Sequence, residues 1–415
     1  MDVVVVGCGP GGSVAAAELA RAGLRVIALD RADFPRYHIG ESLTTSAGIM
    51  LREFELSDAL DARDFPIKMG VKVVGKGARN EFFVPVLEPT WQVRRDGFDQ
   101  LLLDRARAYG VEFRRGVVVE ILRSGEAVTG LAYRPQAAAG DEGGALHRVH
   151  ARFVVDASGL STLLSQEGVA GRRVVEEFGR QIAVFSQFRG PIRDPGEMGN
   201  NTFIFYSEMH HWSWFIPLSS ELVSVGVVMP AQSYKEYGDT PEAVFAWGTR
   251  NINPDLHRRL DGIDPCEPVR VLRNYSYRVD PFAGPGWLCV GDAHRFTDPI
   301  FSFGVSFAMT EARAASQAIL EALESGDCQV PFAQYQRYCD RGQDAAHDVI
   351  RYFWRFPAFF AYLARGEQRG QLIQLLSGNC FGEEPLPVLE SMRRSLREVP
   401  MGRPGPAPVQ RGSEA

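Results

Sequence analysis

The hydrophobic pattern at the start of the chain predicts a strand–helix–strand unit. Val3–Val6 is a run of β-branched residues, residues 13–22 are rich in alanine at helical spacing, and residues 24–29 form a second apolar run. Strand, helix and strand in this order are typical of an α/β domain with a parallel sheet. The residues that join the first strand to the helix, 7–12, read Gly-Cys-Gly-Pro-Gly-Gly.

Alternating apolar and polar positions dominate the middle of the chain, and helical spacing dominates its end. Strands are predicted over residues 67–75, 111–113, 117–121, 181–189, 202–206, 212–216, 222–229 and 287–290. Helices are predicted over residues 99–109, 242–251, 306–325 and 331–354, with a glycine- and alanine-rich loop over 137–144.

The order of these elements predicts a nucleotide-binding domain that is split in sequence. Its first part spans residues 1–175 with a strand insert near 67–92, and residues 276–328 complete it. A β-sheet substrate domain over 176–275 is inserted between the two parts, and residues 329–400 form a C-terminal helical region. The tail 401–415 is rich in Pro, Gly and Arg and is predicted to be disordered.

Composition narrows the classes of function. A net charge of -6 argues against a nucleic-acid partner, and no apolar run approaches the ~18 residues that cross a bilayer. We therefore expect a cytoplasmic protein without stable membrane insertion. The six cysteines have no metal-ligand spacing, so no metal site is expected. Lysine is rare among the 45 basic residues, and Lys68, Lys72 and Lys76 lie close together, with Lys235 as the fourth.

The opening turn has the composition of a dinucleotide site. Gly7, Gly9 and Gly12 supply the GxGxxG pattern between a strand and a helix, where the backbone must approach a pyrophosphate closely. Asp30 ends the second strand, at the distance along the chain where a ribose hydroxyl is bound.

Two later strand ends and one arginine indicate which dinucleotide is bound. One strand runs into Asp156 and a small-residue turn, another runs into Gly291 and Asp292, and Arg95 precedes a helix. Together with the opening turn they resemble the FAD-binding fold of the para-hydroxybenzoate hydroxylase type. The resemblance implies an α/β protein, a three-layer ββα Rossmann-like FAD domain with an inserted mixed or antiparallel sheet and a C-terminal helical cap.

Trp212 and Trp214 are two residues apart in a predicted strand, so their indoles point to the same face of a sheet. Pro217 is expected to end that strand, because proline cannot donate to the ladder. From spacing alone, the pair reads equally well as a buried aromatic face of the core.

Four motifs resemble the flavin-dependent halogenases, in particular the branch that acts on phenols and pyrroles. They are GxGxxG at 7–12, the stretch 34–43 with Arg36 and Ser42, the WxWxIP pattern at 212–217 with Ile216, and the FxxPxxSxG pattern at 296–304 with Pro299. The matches span residues 1 to about 320. The last hundred residues carry no motif of the family.

The resemblance implies a reaction and its cofactors. Reduced FAD, supplied by a separate flavin reductase, reacts with O2 to a flavin hydroperoxide, which chloride or bromide attacks to give hypohalous acid. That acid passes to a lysine, which positions or captures the halogen for an electron-rich aromatic ring in natural-product biosynthesis. The motif of Trp212, Trp214, Ile216 and Pro217 separates flavin from substrate.

Lys68 is the candidate for this lysine, because the surrounding stretch 65–73 resembles that of the family. By strand parity Lys68, Lys72 and Lys76 share one face, and a solvated lysine face is the plainer interpretation of the other two. The resemblance places FAD against Pro299 and Gly304, and a halide at Ser302 and the backbone N–H groups of Phe303 and Gly304.

The substrate is only coarsely indicated. Phe301 stands where the tryptophan-type halogenases have a glutamate, which argues against free tryptophan and leaves a phenol or a pyrrole, free or tethered to an acyl or peptidyl carrier protein. The aromatic stretch 352–362 reads as the core of a helical cap or as a ring-binding surface, and Arg36, Arg351 and Arg355 read as solvated charges or as contacts to an acidic carrier.

Three alternatives remain open at this point. The first is an aromatic hydroxylase of the same fold, the second is a flavoprotein resembling the geranylgeranyl reductases, and the third is an FAD-binding protein without chemistry. Only the halogenase makes product formation depend on halide and on Lys68.

Overall fold

The structure is a computed structural model, and it describes residues 1–75, 81–136, 144–178, 180–273 and 276–398. Lys76, most of the loop predicted at 137–144 and the tail 401–415 lie outside these ranges. The described residues form a mixed α/β fold with two large sheets and a group of C-terminal helices, so the predicted fold class is confirmed.

The valine run of the N-terminus lies in the interior of the first sheet, which has eight strands within the described ranges. From edge to edge they are β16 (Ala283–Gly284), β17 (Trp287–Cys289), β8 (Phe153–Asp156), β1 (Val3–Val6), β2 (Val26–Asp30), β5 (Glu112–Ser124), β6 (Ala127–Pro135) and β7 (His147–His150). Strands β17, β8, β1, β2 and β5 are parallel. A parallel strand covered on both faces explains an unbroken apolar run.

The second sheet is mostly antiparallel and has seven strands in the described part of the chain. Their order is β14 (Arg270–Arg273), β10 (Gln181–Arg189), β13 (Leu222–Pro230), β12 (His211–Pro217), β11 (Thr202–Glu208), β3 (Ile67–Val74) and β4 (Glu81–Trp91). A small third sheet contains β9 (Arg173–Val175), β15 (Tyr277–Val279) and β18 (Arg295–Phe296). The early strands β3 and β4 therefore extend the sheet formed by the strands that follow residue 180.

The helices of the described residues flank these sheets. They are α1 (Pro10–Arg21), α2 (Thr45–Glu53), α3 (Ser57–Asp61), α4 (Arg95–Ala108), α5 (Leu163–Gln166), α6 (Ala231–Tyr237), α7 (Pro241–Asn251), α8 (Pro254–Leu260), α9 (Gly304–Ser325), α10 (Gln329–Arg355), α11 (Pro357–Leu363), α12 (Arg369–Leu376) and α13 (Pro387–Glu398). Helix α1 packs against α4 and α9. Gly11 faces Ala308, and small residues at this crossing let α1 and α9 approach closely.

The two faces of the second sheet belong to different cores. Trp212, Trp214 and Ile204 point to the inner face, where they pack with α10 to α13, whereas Phe203 and Phe215 point to the outer face with α7 and α8. Side-chain alternation along antiparallel strands produces this division, since Trp214 pairs with Ile204 and Phe215 with Phe203. Strand β12 ends at Pro217 as predicted.

The aromatic stretch 352–362 straddles the end of α10 and the short α11. Phe353, Trp354 and Phe360 are buried in the inner-face core, and Phe353 packs against Phe301 with ring centroids 5.3 Å apart. Phe359 and Tyr362 are exposed. Most of this stretch is therefore the core of the cap, with an apolar edge on the outside.

Three predictions from the pattern were wrong in detail. The strands predicted separately at 111–113 and 117–121 are one long strand, β5, whose first four residues pair with β2 and whose residues from Gly116 onward pair with β6. Helices α1 and α4 begin three or four residues earlier than predicted, since Pro10 and Arg95 start their first turns. The shared face predicted for Lys68 and Lys72 is also wrong. The pairing of β3 with β4 is irregular between Lys68, which pairs with Thr90, and Gly70, which pairs with Pro85, and the two lysines on either side of this irregularity point to opposite faces.

No helix in the described ranges is long and apolar enough to cross a membrane. All six cysteines are described, and each has a free thiol.

Gly226 offers a test of how tightly the tryptophan face is packed. It pairs with Trp214 across β12 and β13, and a Cβ at this position would collide with the six-membered ring of that indole. We predict that Gly226→Ala lowers the free energy of unfolding by about 1–3 kcal/mol, the usual range for overpacking. Urea unfolding followed by fluorescence measures this change.

Gly370→Ala is the matched control, because a Cβ there meets nothing within 4 Å and the residue lies in α12. Its stability should be equal to or slightly above that of the parent. Equal stability of the parent and Gly226→Ala would contradict the packing described above.

Candidate active site

A cavity of about 520 Å³ lies at the carboxyl ends of the parallel strands of the first sheet. Its lining comes from the turn after β1, the end of β2, the segment before α2, the turn after β17 and the inner face of the second sheet. Ligands of open α/β sheets bind at this edge. The cavity therefore joins the two sheets that the sequence assigned to cofactor and substrate.

The glycine turn forms one end of the cavity. Gly7 has φ +95°, a conformation that favours glycine, and a Cβ on Gly7 would collide with the carbonyl of Ala157. A Cβ on Gly12 would collide with the carbonyl of Gly7, so this position lets α1 start directly against the turn. Gly9 and Pro10 face the cavity. The result is a cradle of bare backbone at a helix N-terminus, which suits a pyrophosphate.

Asp30 stands beside this turn at the end of β2. Its carboxylate accepts hydrogen bonds from the backbone N–H of Cys8 at 2.8 Å and of Ala32 at 2.9 Å, and the residue lines the cavity. Asp30 therefore fixes the glycine turn while its remaining lone pairs face the place where a ribose would lie.

Two arginines line the same end, and they differ in how their donors are used. Arg95 forms a bidentate pair with Asp99, at 2.7 and 3.0 Å, and donates to the carbonyls of Ile39 and Gly40. Arg36 makes a looser contact of 3.4 Å with Asp99 and lies near Gly9. Arg36 thus has more free donors for a phosphate, and Arg95 holds the segment 39–40 in place.

The two aspartates at later strand ends have different surroundings. The buried carboxylate of Asp156 accepts from the backbone N–H groups of Ser158 at 2.9 Å and Leu164 at 2.7 Å, and Asp156 does not line the cavity. Asp292 does line it, and desolvation raises the pKa of its carboxyl to about 7. Asp292 is therefore the better placed of the two to meet a flavin.

A buried polar cluster supports the turn of Gly291 and Asp292 from behind. Glu311 on α9 accepts from Gly291 N–H at 2.7 Å, from Gln343 at 2.8 Å, and lies 2.8 Å from His294 Nε2. Cys339 completes a group of possible metal-binding side chains with His294 and Glu311. Both carboxylate oxygens of Glu311 already have hydrogen-bond partners in the protein, so we interpret this cluster as a support for the turn of Gly291 and Asp292.

The turn before α9 also lines the cavity. Ser302 has φ +63°, and Ser302 and Gly304 line the cavity at the start of a 22-residue helix. The Phe303 side chain is buried away from it and stacks on Phe307 with ring centroids 5.1 Å apart. A phenylalanine at position 303 therefore leaves the backbone of this turn open to the cavity, and its ring joins the core of the cap.

The tryptophan motif forms a wall of the cavity. Trp212, Trp214 and Ile216 all line it, and the two indoles are tilted by 52° with ring centroids 5.9 Å apart. Trp214 Nε1 donates to Ser224 Oγ at 3.1 Å, whereas the buried Trp212 Nε1 has no partner within the described residues. The pair is thus an apolar partition, and Pro217 lies at the end of its strand outside the lining.

Lys68 lies on β3 with only 1% of its surface exposed. It lies next to the irregular pairing of β3 with β4, and Asn201 Oδ1 accepts a hydrogen bond from Met69 N–H there at 2.8 Å. Lys68 Nζ donates to Ser42 Oγ and to the carbonyl of Leu43, both at 2.8 Å. Desolvation lowers the pKa of this amine to about 7, and no ion pair to it is found in the described part of the chain.

Lys72, in contrast, points to the outer face. Its amine contacts Glu81 at 3.0 Å and Asp194 at 3.3 Å, and these carboxylates raise its pKa. Lys72 is therefore a charged, paired side chain, and the structure separates the two lysines that the sequence grouped together.

Glu41 and Thr202 line the cavity without having been selected from the sequence. Glu41 is buried, burial raises the pKa of its carboxyl to about 7, and its Oε2 has no partner in the described residues. Thr202 Oγ1 is 2.8 Å from Ser42 Oγ. Glu41 belongs to the 34–43 motif and Thr202 begins the predicted strand 202–206, but no role was assigned to either residue from the sequence.

The residues present fit FAD on geometric grounds. The bare glycine turn, the free donors of Arg36 and the Asp292 carboxylate lie along one cavity, at the places where pyrophosphate and flavin meet such a fold. Asp156 and Gly12 shape the walls from outside the lining.

Several known proteins are similar to this chain in sequence. Residues 1–349 match the family described as an FAD binding domain. A 1H-pyrrole-2-carbonyl peptidyl-carrier-protein brominase from Pseudoalteromonas luteoviolacea is 42% identical over 398 residues, which cover 96% of each protein. A 1H-pyrrole-2-carbonyl peptidyl-carrier-protein chlorinase from Pseudomonas fluorescens is 29% identical and covers 96% of this chain and 93% of its own length.

Solved structures share the fold. The flavin-dependent brominase Bmp2 matches with a TM-score of 0.91 at 43% identity, covering 96% of this chain and 98% of its own. The myxobacterial chondrochloren halogenase CndH, an FAD-dependent halogenase, matches with a TM-score of 0.77 at 30% identity over 94% of this chain and 92% of its own.

Because the amine of Lys68 is buried, we expect it to lower the free energy of unfolding by an amount that depends on pH. Its pKa in the folded chain is about 7 against an ordinary 10.5, so between these values the unfolded chain holds a proton that the folded chain lacks. The parent therefore gains stability as pH rises through this window. We predict that Lys68→Met is more stable than the parent, by a margin that is greatest below pH 7 and shrinks toward pH 10.

Denaturant unfolding at several pH values measures this margin, with Lys235→Met as the control because Lys235 is exposed on α6. The control should follow the parent at every pH. A Lys68→Met margin that stays constant from pH 6 to pH 10 would mean that the amine is not desolvated.

Proposed function

The chain belongs to the flavin-dependent halogenases, and on that premise we propose that it chlorinates or brominates a pyrrole-2-carbonyl ring carried by a peptidyl carrier protein. Two relatives with pyrrole-2-carbonyl carrier-protein names support this substrate, and one of them is 42% identical over nearly the full length of both chains. The observation that carries the proposal is the buried amine of Lys68, bonded to a serine that lines the flavin cavity.

The cofactor end of the cavity is proposed to work as follows. FAD, when reduced and bound, supplies with O2 the oxidant that converts chloride or bromide into hypohalous acid. The N–H groups of the glycine turn and the guanidinium of Arg36 bind the pyrophosphate, and Asp30 binds a ribose. Asp292 and Pro299 border the flavin, while Arg95 and Asp156 act by holding the walls.

The halide is proposed to lie at the turn of Ser302, Phe303 and Gly304. Backbone N–H groups at the start of α9 and the helix dipole favour an anion at this position. Both Ser302 and Gly304 face the cavity, so a halide held here is next to the flavin.

Lys68 is proposed to accept the halogen as a neutral amine. A neutral amine has two N–H bonds and one lone pair, and the two N–H bonds are satisfied by Ser42 and Leu43. The lone pair then attacks the halogen of hypohalous acid. The nitrogen–halogen bond forms, the oxygen–halogen bond breaks, and one amine proton joins the departing hydroxide as water.

The wall of Trp212, Trp214 and Ile216 is proposed to keep the aromatic ring away from the flavin. Its large side chains stand between the cofactor cavity and the remainder of the inner-face core. This arrangement distinguishes the halogenase from a hydroxylase of the same fold, in which ring and flavin must meet. The sequence contains no second nucleotide fingerprint, so we expect a separate flavin reductase to supply the electrons.

Halide-dependent turnover tests the proposal directly. The holoenzyme is supplied with a flavin reductase, NADH, FAD, bromide or chloride, and pyrrole-2-carbonyl on a carrier protein, with free pyrrole-2-carboxylate and a phenol in parallel. We predict halogenated carrier-bound pyrrole by mass spectrometry. Lys68→Met should lower its yield by roughly 100-fold or more, the scale for a group that acts in the reaction, while flavin reoxidation continues.

Lys235→Met is the control and should leave the yield unchanged. A hydroxylated product that forms with or without halide would contradict the proposal, and so would full halogenation by Lys68→Met. If free pyrrole-2-carboxylate were halogenated as fast as the carrier-bound ring, the proposal that the substrate is bound to a carrier protein would be contradicted. The proposal that the enzyme halogenates a pyrrole would remain.

A further inference from the structure

Ser42 lies between the flavin cavity and the proposed halogen acceptor. It lines the cavity, it is 4% exposed, and its Oγ is 2.8 Å from Lys68 Nζ and 2.8 Å from Thr202 Oγ1. The sequence placed Ser42 only among the residues that border the cofactor. The hydroxyl contacts point to a second role.

The acceptors around Lys68 Nζ fit a neutral amine and no more. Ser42 Oγ and the Leu43 carbonyl accept one N–H each, and no charged side chain is bonded to the amine within the described residues. A charged ammonium would keep one N–H unpaired in a desolvated place, which is unfavourable. Leu43 contributes a backbone acceptor, so Ser42 is the acceptor that a side-chain substitution can remove.

The rotamer of Ser42 is set by two further side chains. Gln92 Nε2 donates to Thr202 Oγ1 at 2.9 Å, and this hydroxyl contacts Ser42 in turn. Gln92 and Thr202 are both buried. A chain of hydrogen bonds thus runs from the Gln92 amide through Thr202 and Ser42 to Lys68 Nζ. Because Thr202 lies on β11, the second sheet helps to fix the position of this amine.

A second group of hydroxyls nearby does not touch the lysine. Thr44 Oγ1 is 2.9 Å from Ser46 Oγ and donates to Ser306 Oγ at 2.7 Å. Ser42 of the first group and Thr44 of the second lie on either side of Leu43 in sequence. Ser46 therefore provides a comparison hydroxyl that shares the segment but not the contact to Nζ.

We propose that Ser42 is a positioning residue for Lys68, whose hydroxyl, held by Thr202, accepts one N–H of the amine and aims its lone pair at the halogen that leaves the flavin cavity. This inference rests on the proposed function. It assigns Ser42 to the transfer step in addition to the cofactor wall, and it makes Thr202 the residue that orients it.

Ser42→Ala removes this acceptor and tests the proposal. We expect the ratio of halogenated product to oxidised flavin to fall about tenfold, the scale for loss of one hydrogen bond, while released hypohalous acid rises. The midpoint of the pH profile should move to lower pH, because an acceptor stabilises the charged amine more than the neutral one. Ser42→Thr, which keeps the hydroxyl, should restore both values, and Ser46→Ala should match the parent.

The pKa of Lys68 is also measured in the same variants without turnover. This measurement can contradict the role of Ser42 independently of the proposed halogenase function. The lysine Cε resonance of Lys68, assigned by its loss in Lys68→Met, is followed by NMR in the FAD-loaded protein. Its midpoint should fall in Ser42→Ala and, by a smaller amount, in Thr202→Val. If the parent forms no halogenated product, the proposed function fails while this titration still decides the role of Ser42.

Three results would overturn the inference. One is an unchanged Lys68 midpoint in Ser42→Ala, and another is an equal loss of product in Ser46→Ala. The third is weaker FAD binding by Ser42→Ala with an unchanged ratio of product to oxidised flavin, which would leave Ser42 as a cofactor residue alone.

Discussion

Desolvation of one amine is the constraint on which the site depends. Lys68 is buried with no ion pair among the described residues, and this burial lowers its pKa to about 7. The side chain lies next to an irregularity in the pairing of β3 with β4, where Asn201 accepts from Met69 N–H, and its Nζ has two uncharged acceptors. The proposed reaction needs the neutral form that this burial favours, because a neutral amine, unlike an ammonium, has a lone pair that can attack an electrophilic halogen.

In the proposed function, the remaining features of the site separate the place where the oxidant forms from the place where the ring reacts. The glycine turn, Arg36 and Asp292 lie at the cofactor end of the cavity, and the indoles of Trp212 and Trp214 form an apolar wall on the inner face of the second sheet. Ser42, which also lines the cavity, contacts Lys68 directly through its hydroxyl.

The local sequence pattern predicted the strands and the turn that surround the site. It did not predict side-chain directions next to an irregular strand pairing or contacts between residues distant in sequence. The valine run, the GxGxxG turn and the alternation around Trp212 each follow from short-range rules, and the strands and the turn confirm them. Lys68 and Lys72 were grouped by parity, but the pairing of β3 with β4 is irregular between Lys68 and Gly70, and the two lysines point to opposite faces. Thr202 was invisible because its role comes from a contact with Ser42, 160 positions away.

The central claim is that Lys68 captures the halogen, and a chase without substrate tests it most directly. The holoenzyme is given reduced FAD, O2 and bromide but no aromatic acceptor, is passed through a desalting column at once, and its protein fraction is then mixed with pyrrole-2-carbonyl carrier protein. The account predicts that halogenating capacity elutes with the parent protein and is absent from the protein fraction of Lys68→Met. Halogenating capacity that elutes only with small molecules, for the parent as for the variant, would contradict it.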